Sequence, residues 1–146
     1  MSGPWQRQRA LGAYRAVEGI GATPEAFMKM ALDAARNLLL RAEAAITAES
    51  QVEKAKALGS AANLVEFMLG LSGSAPGELS ECLASVYKYV LAAILKGNAG
   101  DDKEAVVAAR VALDELAATW RAMFPDAIGS EVVGPNATLS GRRDHA

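Results

Sequence analysis

Residue types that carry most enzyme chemistry are scarce in this sequence. Its only histidine is His145, next to the last residue, and its only cysteine is Cys82. A lone histidine in the final segment offers no nucleophile–base pair on a folded element, which argues against histidine-based acid–base work and any triad built on it. A phosphotransfer bundle needs a histidine on a structured helix, and a di-iron bundle needs inward Glu-x-x-His pairs; the sequence has neither. Gly19-Ile20-Gly21 is no phosphate loop, because no strand precedes it and no Gly-Lys-Ser/Thr follows. Cys82 falls on an apolar helical stripe and reads as a small core residue rather than a reactive thiol. The expectation is a non-enzymatic protein with no metal and no cofactor.

The bulk properties narrow the class further. With 146 residues, 51% hydrophobic and 22% charged, the chain is sized for one soluble domain with a real core. A net charge of -2 gives no basic face for nucleic acid and no polybasic patch for an anionic membrane. Residues 1–12 lack an apolar stretch like that of a secretory signal. The strongest apolar run, Tyr89 to Leu95, is too short to span a bilayer. One cysteine cannot form an internal disulfide, and the cytosol is the expected compartment.

Whatever this chain does is therefore done by helices. Thr23 is a good N-cap, Pro24 suits the first helical position and Glu25 suits the positive end of the helix dipole. The spacing predicts a helix from there to about Ala48. Ser50-Gln51-Val52-Glu53 is a capping box that starts a second helix. Ser72 to Gly77 forms a turn, and a third helix is expected from about Glu78 to Lys96. Asp101 to Glu104 starts a fourth, which Pro125 ends. In the second helix the apolar positions nearly encircle the axis toward the end, with Phe67 and Gly70 continuing the polar line. Such a helix is either deeply buried or offers a face to a partner. In the third, the expected core stripe is Leu79, Cys82, Val86, Tyr89 and Ala93, with Leu83, Val90 and Ile94 beside it and Tyr87, Leu91 and Leu95 on a further face. Trp120 reads as a core anchor, and the charges on the first and fourth helices read as solvated faces. The architecture is all-α, an antiparallel up-and-down four-helix bundle over residues 13–124. A flexible start at 1–12, a short helical turn at 13–18 and a disordered tail at 125–146 flank it.

Several residues, taken in order, resemble the flagellin-specific export chaperone family, FliS. They are Ala13-Tyr14, then Thr23-Pro24-Glu25 opening a helix that contains Met30 and Asp33-Ala34-Ala35. Gly77-Glu78-Leu79 follows, then Leu83 and Val86-Tyr87-Lys88-Tyr89-Val90, then Asn98, Asp101 and Trp120. The chain departs from the family pattern at Leu32 and Ala34, where tyrosine and glycine are usual, and at Lys88, where aspartate is usual. The resemblance implies a cytosolic chaperone that binds the disordered C-terminal segment of flagellin, blocks its premature polymerisation and delivers it to the flagellar type III export gate. It implies no nucleotide or metal. A generic helical adaptor or dimerisation module with a non-flagellar partner is the alternative reading, and a weak homodimer stays open.

A segment that folds on binding loses chain entropy and needs a long apolar surface in return. The expected client-binding residues are those the bundle core does not require: Leu40 on the first helix, Leu64, Phe67, Met68 and Leu71 on the second, and Tyr87 and Leu91 on the third. Tyr14 matches an N-terminal tyrosine of the family and is expected over the empty groove.

Overall fold

The structure, a computed structural model, describes residues 21 and 23–125. The short turn expected at 13–18, Tyr14 and the tail beyond Pro125 lie outside them. Four helices follow in order: α1 Pro24–Thr47, α2 Gln51–Ser72, α3 Gly77–Gly100 and α4 Lys103–Met123. There is no strand among the described residues.

The caps act as their side chains dictate. Thr23 Oγ1 accepts from Ala26 N–H at 3.0 Å, Ser50 Oγ from Glu53 N–H at 3.4 Å and Asp102 Oδ1 from Ala105 N–H at 3.1 Å. Each satisfies an orphan donor of a first turn. The α1–α2 joint is tight because Glu49 takes the left-handed conformation at φ 58°. Ser50 N–H then donates to Ala45 O at 2.9 Å and Glu49 N–H to Ile46 O at 3.0 Å, the paired bonds of a Schellman ending. α3 runs to Gly100, one turn past the end expected at Lys96, and Asp101 at φ 52° turns the chain into α4.

Each helix packs on two neighbours only: α1 on α2 and α4, and α3 on α2 and α4. The start of α1 meets the end of α4, where Trp120 Nε1–H donates to Glu25 O at 3.0 Å. The end of α1 meets the start of α4, where Lys103 Nζ donates to Thr47 Oγ1 at 2.7 Å. The start of α2 meets the end of α3, where Lys54 Nζ donates to Asn98 O at 2.8 Å. The result is the antiparallel four-helix bundle that the sequence predicts.

The core is one cluster. Leu32, Leu39, Leu58, Val65, Met68, Leu83, Tyr87, Val90, Val106 and Leu113 are fully buried. Burying each such side chain contributes roughly 1.5–3 kcal/mol. Trp120 closes the core beside Phe124, with ring centroids 4.7 Å apart, as expected of an anchor.

The stripe expected in α3 is one residue out of register. The core takes Leu83, Tyr87, Val90, Ile94 and Gly97 and keeps only Ala93 of that stripe fully in place, while Cys82 and Tyr89 are exposed. Gly97 explains the choice: a Cβ there would collide with Val106 Cγ2 of α4. Only the face bearing that glycine lets the helices approach so closely.

Candidate functional site

Of the eight expected client-binding residues, Tyr14 lies outside the described residues. Three of the others are corrected by their burial. Met68 and Tyr87 are fully buried and Leu71 nearly so, all three within the core cluster. The Tyr87 hydroxyl donates to Met28 Sδ at 3.0 Å, a buried bond to a soft acceptor. Burial pushes its phenol well above the usual tyrosine range. These three fill the bundle, and in this conformation they offer no surface. The cause is the register of α2 and α3: Met68 follows Leu58, Ala61 and Val65 at four- and three-residue steps, and Tyr87 follows Leu83.

The remaining four are not gathered in one groove. Leu64 and Phe67 lie on the α1 side of α2. Phe67 is half-buried and meets Phe27 of α1 edge-on, centroids 5.5 Å apart at 67°. Leu64 follows Ser60 by one turn and Ala57 by two; both line an open trough of about 420 Å³ between α1 and α2. Leu91 lies on the other flank. It precedes Asn98 by two turns, and the Asn98 carbonyl faces Lys54 of α2. Leu95, one turn after Leu91, is 71% exposed, and Val52 at the start of α2 is 69% exposed. Leu40, 47% exposed, stands one turn after Arg36 on the flank toward α4. α2 thus separates two apolar strips, Phe27–Leu64–Phe67 on one side and Leu91–Leu95 on the other.

The α1–α4 seam contrasts with both. Lys29 pairs with Asp33 at 2.6 Å and Asp33 with Arg36 at 2.8 Å. Arg36 reaches across to Asp114 at 2.6 Å, and Arg110 of α4 joins Asp114 at 3.0 Å and Glu43 of α1 at 2.5 Å. The Glu43 hydrogen bond holds the Arg110 guanidinium above its usual range. These charges are not the solvated faces expected from sequence; they cross-link two helices.

Among the described residues no group of three or more His, Cys, Asp or Glu is placed to hold a metal ion. No described helix is long and apolar enough to cross a membrane. What this surface can do chemically is exclude water from apolar side chains laid along it.

The family model described as Flagellar protein FliS matches residues 7–127. The chain belongs to the FliS family. The Flagellar secretion chaperone FliS of Salmonella typhimurium (strain LT2) is 28% identical to it over 110 residues, 74% of this chain and 82% of that protein. The resemblance seen between residues 13 and 121 is therefore a family relationship.

Sequence reasoning missed two features of this FliS-family bundle. Lys54 is buried among core positions of α2, its ammonium bonded to Asn98 O and Asp101. Stepping back by four from Leu58 on the core face lands on Lys54, so its position was legible even though its polarity argued against burial. The sequence puts Leu95 on one face with Tyr87 and Leu91, and only the register set by Gly97 shows that Leu95 faces outward while Tyr87 is buried.

Proposed function

We propose that this chain is a flagellar secretion chaperone. It holds the C-terminal segment of flagellin in the cytosol, prevents premature polymerisation and passes the segment to the flagellar export gate. The observation that carries this reading is the family match across residues 7–127. The name of the Salmonella relative, a flagellar secretion chaperone, points the same way.

The physics of the surface supports it. A disordered client that folds on its chaperone buries roughly 1,000–3,000 Å², more than one pocket of a small bundle supplies. Two apolar strips on either side of α2 suit a segment that crosses that helix and lies along both. Phe67 and Leu64 are the anchors of one strip, and Leu91 and Leu95 those of the other. Leu40, on the α4 side, lies farthest from both and contributes least.

The test is calorimetric titration with the C-terminal segment of the same organism's flagellin. One-to-one binding with a large negative heat-capacity change is expected, and Leu95→Asp and Phe67→Asp should each weaken it markedly. Absence of heat and of a complex on a sizing column would sink the proposal.

A further inference from the structure

The α1–α2 seam has two chemically different ends. Where α1 starts and α2 finishes, Phe27 meets Phe67. At the other end the seam opens into the trough of about 420 Å³, whose walls carry Arg41 of α1 and Glu53 and Lys56 of α2. Spacing joins the two parts. Ala34, Leu38, Arg41 and Ala45 recur on α1 at steps of four, three and four, and Phe27 lies seven positions before Ala34. Lys56, Ser60, Leu64 and Phe67 recur on α2 at steps of four, four and three. Each set keeps to one side of its helix. Lys56 and Phe67 are eleven positions apart, about 17 Å along the axis.

The charges of the trough are not matched as those of the α1–α4 ladder are. Among the described residues the ion pairs use Lys29, Arg36, Lys54 and Arg110, and leave out both Arg41 and Lys56. Glu53 is the one acidic residue of the lining, so two cations and one acid leave a single positive charge. Ala45 and Ala57, both buried, lie between the cations and leave room for a main chain. A guanidinium and an ammonium over such a floor suit one carboxylate, which the guanidinium fork can take with two parallel bonds. We propose that the trough receives the terminal α-carboxylate of the client, held by Arg41 and Lys56, while the side chains before it lie along Leu38, Leu64 and Phe67. The inference rests on the chaperone reading and gives it a direction: the client chain ends at the α1–α2 joint. Beyond Ser50 the seam stops, and a chain that terminates there needs no further apolar surface.

The test titrates the full chain with the flagellin C-terminal segment in two forms, one with its free carboxylate and one as the C-terminal amide. Amidation is expected to weaken binding about tenfold, the scale of a hydrogen bond to a charged group. The preference for the free acid should shrink as salt is raised. The double variant Arg41→Gln with Lys56→Gln removes two exposed side chains that have no ion-pair partner among the described residues, so it should melt with the parent. It should bind both peptides alike, and as the parent binds the amide. If the parent binds the amide as tightly as the acid, the proposal is overturned and the chaperone reading is untouched; the carboxylate that suits the trough is then an internal Asp or Glu of the client. A double variant that still prefers the acid overturns it too, since the terminus is then held elsewhere. If neither peptide binds the parent, both readings fail together.

Discussion

The seam between α1 and α4 and the two flanks of α2 are built from opposite materials. The first is zipped by six charged residues, Lys29, Asp33, Arg36, Glu43, Arg110 and Asp114, in one alternating ladder. The second presents Phe27, Leu64 and Phe67 on one side and Leu91 and Leu95 on the other, and its one ion pair among the described residues, Lys54–Asp101, sits at the start of α2. Charged pairs with fixed partners specify one arrangement of two helices, because any shift leaves a charge without its counterpart. Apolar strips tolerate many arrangements of whatever lies on them. On the proposed function, α1–α4 is the seam that holds the bundle and α2 is the helix along which the client would lie.

That division fails first if core and flank cannot be separated by mutation. Tyr87→Ala removes a fully buried aromatic and should cost about 3–5 kcal/mol of stability. Chemical denaturation would show it as a lower midpoint with the same slope. Leu95→Asp, at a position 71% exposed, should change stability by no more than about 0.5 kcal/mol. A small effect of Tyr87→Ala, or a large one of Leu95→Asp, would mean that the roles of the two residues are reversed.

Client affinity should respond the other way. Leu95→Asp places a charge on an apolar strip and is expected to weaken binding of the flagellin segment by about 2 kcal/mol or more, roughly thirtyfold, as for an interface hot spot. Phe67→Asp should do the same but with a measurable stability cost, since Phe67 also packs on Phe27. Titrations of both variants with their melting curves beside them make the distinction. If neither variant loses affinity, the client lies elsewhere on the bundle.

These two residues also show how far the sequence could be read. Two helix starts were legible to the residue, since Thr23 and Ser50 cap by side-chain chemistry that spacing alone reveals, and the fourth was legible to within one residue, its cap being Asp102 in the box-like run that opens at Asp101. The bundle followed from these three starts and from the turn at Ser72 to Gly77, after which α3 begins with no side-chain cap. The faces of α3 were not legible. Apolar residues surround that helix, so the stripe through Cys82 and Tyr89 and the stripe through Leu83, Tyr87 and Val90 fit the period equally well. Only the approach of Gly97 to Val106 of α4, a tertiary fact, selects the second. The same ambiguity placed Met68 and Tyr87 on the candidate surface. For Leu64, Phe67 and Leu91 the surplus of apolar residues was legible, but the two strips they fall into were not.

The ladder makes a smaller prediction of its own. Arg110→Ala severs the contacts to both Glu43 and Asp114. Partly exposed pairs are typically worth about 0.2–1 kcal/mol, and a loss near the upper end is expected here because one guanidinium joins two carboxylates. The loss should shrink in 1 M salt, where the screening length falls to about 3 Å. Client affinity should not change, since the ladder lies away from both strips of α2. An affinity loss equal to that of Leu95→Asp would break the division of labour.

The smallest effect concerns the corner where α2 meets the α3–α4 turn. The Asp101 carboxylate is held below its usual range, chiefly by the hydrogen bond from Lys54, then by that from Gln51, with desolvation opposing. A carboxylate whose pKa is lower in the folded chain contributes stability above its unfolded value, about 3.9. That contribution is lost as the pH falls through the lower, folded value. The Lys54 ammonium stays buried and keeps its bond to Asn98 O, so acid removes one partner of two. Asp101→Asn keeps a residue that tolerates φ 52° and removes the titrating charge. Below about pH 4 the stability of the parent chain should therefore fall more steeply than that of the variant, and the two profiles should run parallel at neutral pH. Denaturation midpoints between pH 2 and 7 decide it. Parallel profiles through the acid range would mean that Lys54 is held by Asn98 alone, and that the corner of α2 is fixed by a neutral hydrogen-bond acceptor rather than by charge.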